Sequence, residues 1–419
     1  MEANRHLAEA LGKAGLTQGE LADVVNDHLR SLGREGTVTD RTVRQWLTGK
    51  TRWPHTRQRE ALERLFGCTA EELGFVRPPS RRDPTRTEDP VLRRNFLAAA
   101  GTAAASVPLG GSRPFTVGTT DVIRLRNGLD RLTALDNTKG GHEDLERAAL
   151  RGAAKALELQ QHGASQRIRR RLFSVAANYT AMAAQSTMDA RALERTGVHL
   201  REALYLAGMA KDPIAQFRVW NLQAMLAGHL NEPPAAVDAA LAAQATAVTR
   251  QDPLFASLAH ARTAISHARA GNRQGALRSL GYAEAALAKA PEDEPRPSWM
   301  AFYGHGELLA LTAIAHDSIA LPASAEAASH RALAAIPEGF RRNRGLATAR
   351  LALAQLHQGD VEQACSTAVH VFAVMDDEPL PGRMRSLLGD FHRDLITTAP
   401  NTPAAREWTD LYRNHWSQA

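Results

Sequence analysis

Between Asp40 and Arg59 the chain carries six basic side chains, Arg41, Arg44, Lys50, Arg52, Arg57 and Arg59, against one acid, Asp40. Arg41, Arg44 and Gln45 fall on one side of a helical stretch, "DRTVRQWL", whose other side holds Val43 and Trp46. Guanidinium and amide groups form paired hydrogen bonds with base edges, while flanking cations hold phosphates. The charge is local, because residues 1–90 contain 15 basic and 14 acidic side chains. A solvated charged face is the plainer reading of an isolated helix. Here the cap, the core residues, the closing turn and the basic tail all point the same way.

A second set of chemically capable residues recurs at long spacing. Asn178, Asn221, Arg262, Glu307 and Arg350 are separated by 43, 41, 45 and 43 residues, mostly among alanine and leucine. Such a polar column can hydrogen-bond an extended peptide backbone, its arginines meeting a carboxylate. Equally, Glu307 can bridge Arg262 and Arg350 across neighbouring units. Trp299 and Tyr303 lie four residues apart, a spacing that predicts one helical turn and a shared pocket wall; Trp220 and Phe302 nearby read as core.

The elements that position the first set are short helices. "NRHLAEALGKAGL" places Leu7, Ala8, Leu11 and Leu16 on one stripe. Thr17 caps a second helix, "QGELADVV", with Glu20 three residues on in the reciprocal capping arrangement. Thr39 caps the third, Val38, Val43 and Trp46 face inward, and Gly49 ends it.

The second set rests on a repeat. Pro213, Pro253, Pro295, Pro337 and Pro379 are spaced by 40, 42, 42 and 42 residues, with a second break between each pair. Each unit is therefore helix, turn, helix and a proline-marked turn, and stacked units are needed to form a continuous core. Residues 1–76 read as a helical domain, 77–120 as a proline-, glycine- and charge-rich linker, and 121–419 as the repeat region.

Composition narrows the class. Cys68 and Cys365 are the two cysteines of 419 residues, without histidines at ligand spacing, so neither a disulfide framework nor a metal site is expected, and a reducing cytoplasm is. The net charge of +6 permits an acidic partner. No apolar run is long enough to span a membrane. "LRRNFLAAAGTAAASVPLGG", from Leu92, resembles a twin-arginine export signal with Arg93 and Arg94, but lies behind a domain rather than at the start. His260 and His267 are seven apart and read as surface or packing residues; no nucleophile elbow, phosphate loop or metal-ligand spacing is read, and neither catalysis nor a cofactor is expected.

The run "GLTQGELA" followed by "VTDRTVRQWLTGKTRWP" resembles the lambda-repressor-like helix-turn-helix of the XRE class, in its "LTQ", its threonine–valine pair and its closing glycine. "DVVNDHLRSLGREGTV" departs from that pattern by roughly ten extra residues. "LALAQLHQGDVEQACSTA" and "AISHARAGNRQGALRSL" resemble tetratricopeptide repeats, at a period longer than that family's usual value of about 34. The whole chain looks like an actinobacterial group that joins these two parts, and its architecture is similar to the quorum-sensing peptide receptors of Gram-positive bacteria.

The resemblance implies an all-α chain, a helix-turn-helix domain followed by an α-solenoid of tetratricopeptide-like hairpins. It implies that Gln18 binds a phosphate, that Thr39, Asp40, Arg41, Arg44 and Gln45 face a DNA groove, and that Lys50, Arg52 and Arg57 contact phosphates. The extra residues leave open whether Asp40 or Arg41 reads a base. The expected function is a cytoplasmic, homodimeric transcriptional regulator of double-stranded DNA whose repeats sense a peptide, small molecule or protein, with Asn178, Asn221, Arg262, Trp299, Tyr303, Glu307 and Arg350 as ligand residues. The alternative is a repeat scaffold that recruits a protein partner with weak DNA contact.

Overall fold

The computed structural model describes residues 3–14, 16–31, 36–77, 117–291, 294–376 and 379–417. Every regular element among them is helical. The chain divides into two compact units, Met1–Thr116 and Val117–Ala419. Most of the expected linker, with Arg93 and Arg94, lies outside the described residues. Residues 117–120, assigned by composition to that linker, instead begin the second unit. Val117 is buried, its N–H donates to the Gly163 carbonyl at 2.9 Å, and a helix opens at Thr119. A core contact that far along the chain leaves no mark on local composition.

The first unit contains α1 (Arg5–Ala14), α2 (Gln18–Ser31), α3 (Asp40–Leu47) and α4 (Thr56–Phe66). Their ends are set locally. Asn4 Oδ1 accepts from Leu7 N at 3.0 Å, and Thr17 and Glu20 close the expected reciprocal cap of α2, Glu20 Oε2 accepting from Thr17 N at 2.6 Å. On α3 the cap is Thr39, paired with Thr42, and the helix closes before Gly49, whose φ of 70° is a left-handed turn that glycine adopts without strain. Leu7, Leu21, Val43, Trp46 and Leu62 are fully buried, each contributing roughly 1.5–3 kcal/mol. Leu16 is buried as expected but lies beyond the end of α1, and Ala8 is half-buried.

The extra residues between α2 and α3 are partly absorbed by extending α2 to Ser31. Asn26 then clamps the returning chain: its Nδ2 donates to the Val38 carbonyl at 2.7 Å and its Oδ1 accepts from Val38 N at 2.8 Å. Both bonds are buried, so they fix the residue that leads into α3.

The second unit runs α5 (Thr119–Lys139), α6 (Glu143–Leu159), α7 (Gln166–Asp189), α8 (Leu193–Ala210), α9 (Pro213–His229), α10 (Pro233–Ala245), a short α11 (Ala247–Gln251), α12 (Pro253–Arg269), α13 (Arg273–Leu287), a 3-10 turn Ser298–Met300, α14 (His305–Ser318), α15 (Pro322–Ala335), α16 (Arg341–Gln358), α17 (Val361–Val374), α18 (Gly382–Thr398) and α19 (Pro403–Ser417). Pro213 and Pro253 open α9 and α12, while Pro295, Pro337 and Pro379 fall in the segments that lead into α14, α16 and α18. Pro213 and Pro253 occupy first-turn positions, where no N–H is needed, and Asp212 and Asp252 cap the same turns. From α6 to α19 the long helices pack on one another largely in chain order. The buried faces are rich in alanine, which lets helix axes approach closely.

Long-range contacts break the chain-order pattern: α5 packs against α16 and the 3-10 turn, and α18 packs against α7. At the junction Arg342 Nη1 lies 2.9 Å from Asp136 Oδ2 and 2.8 Å from Asp189 Oδ2, while Arg383 Nε lies 3.1 Å from Asp189 Oδ1. The first and last parts of the ladder are thereby joined by buried charges, beside a partly open cavity on the inner face.

Candidate functional site

On α3, Thr39, Asp40, Arg41 and Arg44 are exposed and Gln45 is half-buried, while Val43 and Trp46 are buried. The Trp46 ring meets Phe75 edge-on with centroids 6.4 Å apart, which holds α3 against the segment that follows α4. Arg41 and Arg44 are therefore free to project from a helix that cannot roll. Gln18 is half-buried as the first residue of α2. The two helix starts approach closely, because a Cβ on Gly19 would lie 2.8 Å from Asp40 Oδ1. That contact turns the Asp40 carboxylate toward α2 and leaves Arg41 as the outward group.

Lys50, Arg52 and Arg57 are exposed beyond α3. Arg59, from the same basic run, is engaged within the unit. Its guanidinium lies 4.4 Å over the Trp53 ring and hydrogen-bonds Thr56 Oγ1 at 3.4 Å.

The second unit encloses a cavity of about 340 Å³ lined mainly by α5, α7, α9, α12, α14, α16 and α18. Four residues of the periodic column, Asn221, Arg262, Glu307 and Arg350, come together on its wall with Trp299. Asn178 stands behind the wall, its carbonyl and Oδ1 each accepting from Arg218 Nη1 at 3.2 Å. Tyr303 does not share the pocket with Trp299 as predicted. Trp299 sits in the 3-10 turn and α14 begins only at His305, so Pro295, Pro297 and Gly304 interrupt the helix that the four-residue spacing assumed. Tyr303 turns instead to Ser257, hydroxyl to hydroxyl at 2.8 Å.

Glu307 does not form the expected bridge to Arg262 and Arg350. Its Oε2 accepts from Asn343 Nδ2 at 2.7 Å, and Arg262 Nε donates to Asn221 Oδ1 at 3.1 Å. Burial pushes the Glu307 carboxyl above its ordinary range, opposed by the Asn343 hydrogen bond. His260 and His267 are half-buried, and His260 lies against Tyr282 with ring centroids 5.4 Å apart. Cys68 and Cys365 are both free thiols, and no group of His, Cys, Asp or Glu suited to a metal occurs among the described residues.

Sequence spacing alone missed most of the cavity's charge. Seven arginines line it against three carboxylates, Asp136, Glu307 and Asp390. Burial pushes Arg218, Arg262 and Arg350 down to about 10. His229 is driven to about 3 by burial and by Arg383, Arg269, Arg191 and Arg350 around it, so its ring is neutral at pH 7. Of the two acids at the junction, Asp189 is held low by Arg383 and Arg342 despite burial. Asp136 is raised, because burial there outweighs the attraction of Arg342. Arg218 sits three residues before Asn221 on α9, so an i−3 extension of the column would have found it. Asp136, Asp189 and Arg383 carry no such signal.

No family model and no curated protein matches this chain. No helix among the described residues is long and apolar enough to cross a membrane.

Proposed function

We propose that this chain is a DNA-binding transcriptional regulator. In this reading α2 and α3 form a lambda-repressor-like helix-turn-helix, the ladder from α6 to α19 is a tetratricopeptide-like sensor, and the protein acts as a homodimer in the cytoplasm on half-sites about one helical turn or more apart. One observation carries it: α3 is anchored by buried Val43 and Trp46 while Arg41 and Arg44 project from its opposite face, beside exposed Lys50, Arg52 and Arg57. Arg41 is the better base reader, since Asp40 faces α2.

Fluorescence anisotropy with DNA from the gene's own upstream region and with random DNA, at two salt concentrations, tests the reading. Arg41→Ala/Arg44→Ala is expected to remove selectivity, at about 1–3 kcal/mol for each lost base contact. Equal binding to both DNAs that salt abolishes would sink it, because only electrostatics would then remain.

A second reading, a scaffold for a protein partner, draws on Val198, Tyr205 and Met209. These exposed apolar residues lie seven and four apart on one face of α8. It predicts that the phenotype survives Arg41→Ala/Arg44→Ala.

A further inference from the structure

A buried arginine short of acceptors opposes folding, so a wall that sets one beside further unpaired arginines calls for a reason beyond the chain's own packing. Arg218 is 1% exposed, and its Nε and Nη2 have no partner. Its guanidinium lies 5.2 Å over the Trp299 ring, whose Nε1 is also buried and unpartnered. Both residues line the cavity. Arg269 and Arg350, on the same wall, make no side-chain hydrogen bond or ion pair among the described residues.

The acids on the wall do not answer this excess. Asp136 is taken by Arg342 and by Gln185, whose Nε2 donates to it at 2.6 Å, and Glu307 is taken by Asn343. Asp136 leaves one oxygen unpartnered, but burial pushes both carboxyls up, which weakens them as anionic acceptors. Asp390 pairs outward with Arg393 at 2.9 Å. What the cavity lacks is acceptors that carry negative charge.

We propose that this cavity binds a small organic dianion, a compound with carboxylate or phosphate groups at both ends. One end meets Arg218 and Arg262, and the other meets Arg269 and Arg350. Arg262 and Arg269 are seven residues apart on α12, which separates the two stations by about 10 Å along the helix. A volume of about 340 Å³ stands at the small end of ligand pockets, which suits one compact molecule better than an extended peptide. His229, kept neutral among the arginines, adds a hydrogen-bonding ring without adding to the repulsion. The proposal deepens the regulator reading by naming the class of its effector. Binding is measured without DNA, so either can fail while the other stands.

Isothermal titration calorimetry of the full chain at low ionic strength tests it, with adipate as the dicarboxylate, 1,4-butanediol bis(methyl phosphate), a bis-phosphodiester of the same charge, as the phosphate compound and 1,6-hexanediol as the uncharged control. At least one dianion is expected to bind at a single site and the diol not at all; the preference between the two dianions identifies the anionic group. Arg218→Gln and Arg350→Gln should each weaken binding about tenfold or more, the scale of a lost charged hydrogen bond. Thermal melts of the same variants without ligand guard against misfolding. They should melt close to the parent chain, because neither arginine forms an ion pair within the described fold. The proposal is overturned if neither dianion binds, if both variants bind as tightly as the parent, or if both melt far below it, since the arginines would then be serving the fold.

Discussion

The two units use the same side chain in opposite solvents. Arg41 and Arg44 of the first unit stand in water on a short helix, and holding them there costs almost nothing. Arg218 and Arg262 of the second unit are buried, Arg350 is half-buried, and all three are pushed down to about 10, so the fold holds them against their desolvation. Exposed cations attract weakly and are screened by salt, which suits a long polyanion that offers many contacts at once. Desolvated cations attract strongly and are screened less, which suits one small anion. The position of a charge relative to water thus separates two kinds of recognition that a count of arginines would merge.

The largest expected effect tests whether the cavity depends on its charged junction. Arg342→Met leaves Asp136 and Asp189 buried without their shared cation and is expected to cost about 3–5 kcal/mol, read as a lowered midpoint in urea. A loss below about 1 kcal/mol would mean that apolar packing, not charge, closes the ladder.

A smaller effect sharpens the contrast through pH. The folded value of His229, about 3, lies below its ordinary 6.5, so its neutral form stabilises the fold fully above pH 6.5 and that contribution is lost as pH falls toward 3. The parent chain should lose about 1.4 kcal/mol per pH unit within that window from this residue, and His229→Gln should flatten the profile by that amount. An anion in the cavity would offset the surrounding arginines and reduce the loss. Identical profiles for the two proteins would show that His229 is better solvated than its surroundings imply.

The smallest effect concerns the first unit. Thr39→Ala removes the side chain that accepts from Thr42 N and should cost about 1 kcal/mol, measured by chemical denaturation, while leaving Arg41 and Arg44 in place. No measurable change would mean that the Asn26 clamp on Val38 holds the start of α3 by itself.

Where the sequence was legible, its signals were local. The Thr39 cap, the inward Val43 and Trp46, the Gly49 turn and the Thr17–Glu20 pair each depend on residues three to ten positions apart. The column Asn221, Arg262, Glu307 and Arg350 was legible because a repeat copies one local register. Tyr303 failed where two prolines and a glycine broke that register.

Helix content, helix ends, the outward face of α3 and the repeat were therefore determined by the sequence alone, since spacing and backbone hydrogen bonding act over a few residues. Only the tertiary structure decided that the inner face gathers into a cationic cavity. Asp136 and Arg342 are 206 positions apart and Asp189 and Arg342 are 153 apart. No local pattern encodes such a meeting: it depends on the small rotation from each helix pair to the next, summed along the ladder until its two ends touch.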